Sequence, residues 1–252
     1  MTMPAPDKIQ TAVVTGGARG FGAEAVRALH RAGFRVVISD IEPEPAEALA
    51  SELDLAGDTA VSATLDVTSP EDFQSVLDKC IERWGSVEVL VNNAARTAVQ
   101  GVLEIDPADF NAVLATNAGG TFAGSQIFGR HFKARGYGRI VNLASLAGQN
   151  GGTATGAHYA ASKGAILTLT KIFARDLAPF GVTCNAIAPG PMDTPMVRSV
   201  LGKDAEKAIA NIPVGHLGDP YFVADLVALL ASPRAAFVNG ACWDVNGGIY
   251  MR

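Results

Sequence analysis

Short apolar runs alternate with longer stretches of helical spacing along almost the whole sequence, and few folds accommodate that rhythm. Residues 9–15, 34–39, 60–65, 87–91, 139–143, 182–188 and 241–245 read as strands buried on both faces. Residues 20–32, 43–56, 69–84, 106–134, 157–177 and 220–230 read as helices. Their ends carry local signals. Ser69-Pro70-Glu71-Asp72 is an N-cap, a proline at the first helical position and two acids in the first turn, and Asp106-Pro107 repeats the logic. Gly33 and Gly85 stand where helices stop. Strands separated by helices must run parallel, because only a long crossover returns the chain to the same edge. The pattern predicts an α/β fold: a doubly wound, seven-stranded parallel sheet with helices on both faces.

The length of 252 residues fits one domain, 1–252, with residues 194–218 as the one long irregular excursion and a candidate helical lid. Hydrophobic residues are 48% of the chain and charged ones 18%, so a sizeable core is expected rather than disorder. A net charge of −5 with no Lys/Arg run argues against a nucleic-acid partner. Apolar runs all fall short of the ~20 residues of a membrane span. Residues 1–10 show no signal-peptide pattern, so a cytoplasmic location is expected. Cys80, Cys184 and Cys242 are odd in number and form no CxxC pair, so neither a disulfide framework nor a metal site is expected.

After the first strand comes Thr15-Gly16-Gly17-Ala18-Arg19-Gly20-Phe21-Gly22. A glycine turn between a strand and a helix lets bare backbone N–H groups approach a pyrophosphate at the helix N-terminus. A plain helix-entry turn of small residues is the alternative. Asp40, followed by Ile41, ends the second strand and can accept both hydroxyls of an adenosine ribose while repelling a 2′-phosphate. Arg19 argues the other way, since a guanidinium can pair with that phosphate. The direct penalty at Asp40 outweighs it, so NAD is expected over NADP, on a Rossmann-like sheet.

Tyr159 and Lys163 are four apart on an expected helix and share a face. A free Tyr has a pKa of ~10, too high for a base at neutral pH. A nearby ammonium and a cationic nicotinamide favour tyrosinate and lower that value. An exposed Tyr–Lys pair is the bland alternative.

In order along the chain stand Thr15-Gly16…Gly20-Phe21-Gly22, Asp66-Val67, Asn92-Asn93-Ala94, Asn117, Ser145, Tyr159-Ala160-Ala161-Ser162-Lys163, Asn185 and Pro189-Gly190-Pro191-Met192-Asp193-Thr194. In that joint order the sequence resembles the classical short-chain dehydrogenase/reductase family over essentially its whole length. The resemblance implies roles. Tyr159 would be the general acid/base, Lys163 would bind the nicotinamide ribose and tune Tyr159, and Ser145 would hydrogen-bond the substrate oxygen. Asn117, in a helix kink before Gly119-Gly120, would hold a water that relays protons from Lys163. Gly16, Arg19, Gly20, Phe21, Asp40 and Ile41 would surround the pyrophosphate and adenosine. Asp66 would accept from the adenine amino group, with Val67 adding a backbone contact. Asn93 and Ala94 would line the cleft, and Pro189, Gly190, Met192 and Thr194 would flank the nicotinamide, with the Met192 backbone at the carboxamide.

Departures from the family pattern are Ala95 for Gly, Phe21 for Ile, and a Ser145-to-Tyr159 interval one residue longer than is common. The extra residue falls in 149–158, where substrate shape is decided, so no substrate transfers from relatives. Gln149 and His158 have two readings there, polar contact with a substrate or a plain loop role. The expected activity is hydride transfer between NAD and a small-molecule secondary alcohol or ketone. The alternative is an NADPH-dependent 3-oxoacyl thioester reductase serving acyl-carrier protein. Phe180 near the end of the Tyr–Lys helix counts against it, although Arg135 and Arg175 are near enough to meet an acidic partner. A nucleotide-binding scaffold without catalysis is the reading from a different class, and intact Ser145, Tyr159, Lys163 and Asn117 oppose it. The resemblance also implies a homotetramer built on the long helices.

Overall fold

The structure is a computed structural model and describes residues 9–97, 99–152, 155–194, 197–198 and 205–252. Seven strands, β1 (Thr11–Thr15), β2 (Arg35–Asp40), β3 (Ala60–Thr64), β4 (Val89–Asn92), β5 (Gly138–Leu143), β6 (Val182–Pro189) and β7 (Cys242–Val245), form one all-parallel sheet ordered β3-β2-β1-β4-β5-β6-β7. The helices are α1 (Gly20–Arg31), α2 (Pro43–Leu53), α3 (Pro70–Trp84), α4 (Pro107–Leu114), α5 (Gly120–Arg135), α6 (Ala147–Asn150), α7 (Ala157–Leu177), α8 (Ala205–Ala210) and α9 (Pro220–Ala231). The order reverses between β1 and β4. That switch point opens a crevice at the carboxyl ends of the strands, where ligands bind in open α/β sheets.

Alternation along each strand sorts side chains into two cores. Val14, Val36 and Ile38 face α1 and α9 through Val26, Leu29, Val223, Val227 and Leu230. Val13, Val37, Leu90 and Ile140 face the other way, onto Phe73, Leu77, Phe128 and Phe132. Two helix starts are held as the caps at Ser69 and Asp106 predict, and Asp219 caps a third. Ser69 Oγ accepts from Asp72 N at 3.1 Å, Asp106 Oδ1 from Ala108 N at 2.7 Å and Asp219 Oδ1 from Tyr221 N at 2.8 Å.

Two elements differ from the sequence expectation. The helix expected over 106–134 is interrupted by a π turn, Ala115–Gly119, between α4 and α5. A four-residue helix, α6, follows Ser145, where no element was expected. The candidate lid falls partly outside the described residues, at 195–196 and 199–204. Among those described, α8 lies within it, and its two ends meet: Asp193 N donates to Gly218 O at 2.8 Å and Gly218 N to Pro191 O at 3.0 Å.

Candidate active site

Backbone geometry at the end of β1 admits only glycine. Gly16 and Gly20 have φ of +59° and +55°. A Cβ on Gly16 would stand 2.8 Å from Ala94 Cα, and one on Gly22 would stand 2.0 Å from Gly16 O. At Gly20 a Cβ would meet nothing within 4 Å, so there the need is conformational and the space in front stays open. Asn93 holds this turn from across the switch point. Its Nδ2 donates to Thr15 O at 3.0 Å and Gly16 O at 2.9 Å. Thr15 Oγ1 in turn accepts from the backbone N of Asn93 and Ala94, at 3.0 and 3.1 Å. Asn93 therefore fixes the shape of the glycine turn, with its side chain occupied by β1 carbonyls. Phe21 packs against the α1 side of the core.

Asp40 is tied to the same turn. Its Oδ2 accepts from Ala18 N at 3.1 Å and its Oδ1 from Glu42 N at 3.2 Å, which leaves lone pairs on both oxygens. Arg19 is exposed and paired with Glu42 at 2.8 Å. Ile41 is 62% exposed at the rim beside Asp40. Asp66, half-buried after β3, accepts from Thr68 N and Oγ1 through Oδ1, both at 2.8 Å. Val67 is buried against Gly120, where a Cβ would come within 2.8 Å of it. Together, a bare left-handed turn, a carboxylate beside it and open space at Gly20 fit the phosphates and ribose of a dinucleotide.

Further along the crevice, Asn117 from the π turn, Ser145 from the segment after β5, and Tyr159 and Lys163 from α7 come to one place. Asn117 is fully buried in the π turn. Its Oδ1 accepts from Arg96 N at 2.7 Å, and its Nδ2 donates to Arg96 O and Ser162 Oγ, both at 2.9 Å. These long-range bonds act on one turn of the helix, which is where a π turn arises. Ser162 Oγ passes the connection on to Tyr159 O at 2.7 Å. Lys163, buried, donates to Leu143 O at 2.6 Å, and its Nζ lies 5.6 Å from the Tyr159 ring centre. Burial pulls its pKa down to about 8.

In the protein alone the Tyr159 phenol has a pKa above its ordinary value. Burial raises it, and a hydrogen bond from Ser145 opposes the rise. Desolvation wins because the phenol sits in the same dry pocket as the lysine. Ser145 Oγ also accepts from Ala147 N at 3.1 Å, which starts α6. Of the two loop residues with open readings, His158 is fully buried. Its Nδ1 accepts from Tyr159 N at 2.9 Å, so it positions the start of α7. Gln149 reaches β7 and donates to Asp244 Oδ1 at 2.6 Å.

Pro189 ends β6. Gly190 N donates to Val245 O at 2.8 Å, and a Cβ on Gly190 would stand 2.9 Å from Asn246 Cα. Met192 is buried and bridges to Gly218, while Thr194 N donates to Met192 O at 2.9 Å. The side chains that sequence reasoning missed are partners rather than reactants. Asn92 Nδ2 bonds Ser125 Oγ at 3.0 Å and Asn142 Oδ1 at 2.8 Å, and Asn142 Nδ2 bonds Thr170 Oγ1 at 2.9 Å. This buried polar net joins β4, β5, α5 and α7 beneath the quartet. Its signal in the sequence is one Asn near the end of each of two largely apolar strands, Asn92 in β4 and Asn142 in β5.

A family model described as "Enoyl-(Acyl carrier protein) reductase" matches residues 16–250. Over 242 residues the chain is 35% identical to the 3-oxoacyl-[acyl-carrier-protein] reductase FabG of Vibrio cholerae, covering 96% of this chain and 98% of that one. It is 34% identical over 242 residues to the FabG of Escherichia coli, covering 95% and 97% of the two. It is also 37% identical over 245 residues to the 4-formylbenzenesulfonate dehydrogenase TsaC1/TsaC2 of Comamonas testosteroni, covering 95% and 97%. The chain is an NAD(P)-dependent oxidoreductase acting on CH–OH or keto groups. Sheet order, glycine turn and these near full-length matches lead to one assignment: the chain belongs to the classical short-chain dehydrogenase/reductase family.

Proposed function

We propose that this chain transfers a hydride between NAD(H) and a secondary alcohol or ketone, with Tyr159 as general acid/base. One observation carries the reading: the buried Lys163 ammonium stands 5.6 Å from the centre of the Tyr159 ring. The nicotinamide, when bound, supplies the hydride donor or acceptor. The chain supplies the proton and the alignment. In reduction, Tyr159 is protonated at neutral pH because a phenol's ordinary pKa of ~10 lies well above neutrality, so it is ready to give its proton to the oxygen that becomes a hydroxyl. Ser145 holds the same oxygen. In oxidation, the alcohol proton passes to Tyr159 as tyrosinate, which the Lys163 ammonium stabilises. Lys163 and Tyr159 also hold the nicotinamide ribose. Asn117 keeps the π turn open for a water through which Lys163 exchanges protons.

Asp40 and Glu42 support NAD over NADP. A 2′-phosphate would meet the carboxylates of Asp40 and Glu42 there, and Arg19 is already engaged by Glu42 at 2.8 Å. Gly16, Gly20 and Phe21 cradle the pyrophosphate, Asp40 and Ile41 the ribose edge, Asp66 and Val67 the adenine. Asn93, Ala94, Pro189, Gly190, Met192 and Thr194 border the nicotinamide. The substrate lid is assigned to the segment 194–218, whose described ends are joined by the Met192–Gly218 bridge. In this reading the protein is a cytoplasmic homotetramer.

A second reading, NADPH-dependent reduction of 3-oxoacyl thioesters, is favoured by the similarity to the two FabG proteins. Lys133 stands 4.2 Å over the Phe180 ring and brings a cation to the end of α7, whereas Arg175 is engaged by Asp176 at 2.8 Å. The test is loss of NADH or NADPH fluorescence with cyclohexanone, ethyl acetoacetate and acetoacetyl-N-acetylcysteamine. NADH consumption with either ketone, lost about 10²–10⁴-fold in Tyr159→Phe, is expected. NADPH consumption with the thioester alone selects the second reading. Undiminished turnover in Tyr159→Phe refutes both.

A further inference from the structure

We propose that Asp244 and Arg252 form a remote latch that positions the substrate wall and Ser145, acting through Gln149. For its effect on turnover the proposal rests on the reading above. Helix α6 is only four residues, far too short to hold its shape alone. It is held from three sides. Ala147 N donates to Ser145 Oγ at 3.1 Å and Leu146 N to Pro189 O at 3.0 Å. Gly148 lies directly on the α7 backbone, where a Cβ would stand 2.5 Å from the Lys163 carbonyl carbon. A displacement of α6 therefore reaches Ser145 and Lys163 without an intermediary.

The third side is the tether at Gln149. Its Nε2 donates to Asp244 Oδ1 at 2.6 Å and lies 3.6 Å from Cys242 Sγ. Asp244 is the hub: Oδ1 also receives Cys242 Sγ at 3.3 Å, and Oδ2 receives Arg252 Nε at 2.8 Å. Arg252 Nη2 donates to Cys242 O at 2.7 Å, so the guanidinium grips both β7 backbone and carboxylate. A carboxylate only accepts, which forces the Gln149 amide nitrogen towards β7. The Gln149 oxygen is left buried and without a partner among the described residues. The amide thus takes its orientation from the latch at the expense of its own second hydrogen bond. These bonds hold the carboxyl of Asp244 below its ordinary pKa, so the latch is charged throughout the neutral range.

The pair is half-exposed and adds little to global stability. Its role is positional, and three substitutions test it: Asp244→Ala, Arg252→Ala and Gln149→Ala. Amide hydrogen exchange over 146–150 is expected to accelerate about fivefold or more in Asp244→Ala, and by a smaller factor in Arg252→Ala, with the glycine turn unchanged. With ethyl acetoacetate and NADH, KM is expected to rise about fivefold in Asp244→Ala with NADH affinity unchanged. The Asp244→Ala/Gln149→Ala double variant is expected to be no worse than either single. Unchanged exchange over 146–150, or effects on KM that multiply in the double variant, would overturn the latch. Should the unsubstituted protein leave ethyl acetoacetate untouched, the ketone reading fails there, while the exchange measurement still decides the latch.

Discussion

Burial acts on Tyr159 and Lys163 in opposite senses, and both times it favours the neutral form. The phenol is pushed up and the ammonium is pulled down to about 8. For Lys163 the folded pKa lies below the ordinary value of 10.5, so between about pH 8 and 10.5 the unfolded chain binds more protons. Stability linked to this residue therefore rises with pH across that window, and the cost of the buried charge is greatest below it. Lys163→Met removes that charge. At pH 7 the variant is expected to be more stable than the parent by about 1 kcal/mol, with catalysis lost. Denaturant melts from pH 7 to 10.5 check the sign, since the advantage should shrink as pH rises. An advantage that grows with pH would contradict the burial argument. At this scale the pairing of Tyr159 with Lys163 on one helix face was legible from their spacing of four. Their partners were not: nothing local to Asn117 announces a bond to Arg96, and nothing in His158 announces that it caps its neighbour's N–H.

Among the elements, the boundaries that rest on local caps were readable from the sequence, as Ser69 and Asp106 show by accepting the N–H groups that their positions imply. The π turn was not. Hydrophobic period cannot report a helix turn opened by side chains far away in sequence, and Asn117 does this through Arg96 and Ser162. Helix α6 escaped for a related reason, since four residues carry no period and its support is tertiary. The glycine turn gives the sharpest prediction for an element. In Gly22→Ala the new methyl would sit 2.0 Å from Gly16 O and 2.6 Å from Asn93 Nδ2, so the turn must open. NADH affinity is expected to fall about tenfold or more, with a loss of about 1–3 kcal/mol in stability. Fluorescence titration and thermal melts measure both, and an unchanged NADH affinity would remove the turn from the cofactor site.

For the whole molecule, the seven-stranded parallel sheet was legible in the strand–helix alternation, but the strand order with its switch point between β1 and β4 was not, because alternation does not say on which side of the sheet each crossover returns. Assembly is a different matter, because patterning within one chain does not say which exposed face meets a copy of itself. Phe122 and Ile172 are 44% and 42% exposed on α5 and α7, and Phe122 stacks on Phe173 at 5.9 Å between centroids. If these helices build the proposed tetramer, light scattering should give about four chain masses for the parent and about half that for Phe122→Glu/Ile172→Glu. An unchanged mass would place the interface elsewhere. The account turns most on what the crevice holds, and side-by-side fluorescence titration with NADH and NADPH tests that directly. NADH binding tighter by about tenfold or more, roughly 1.4 kcal/mol, is the result the Asp40–Glu42 edge predicts. Tighter NADPH binding would contradict that selection, and binding of neither would contradict the dinucleotide site itself.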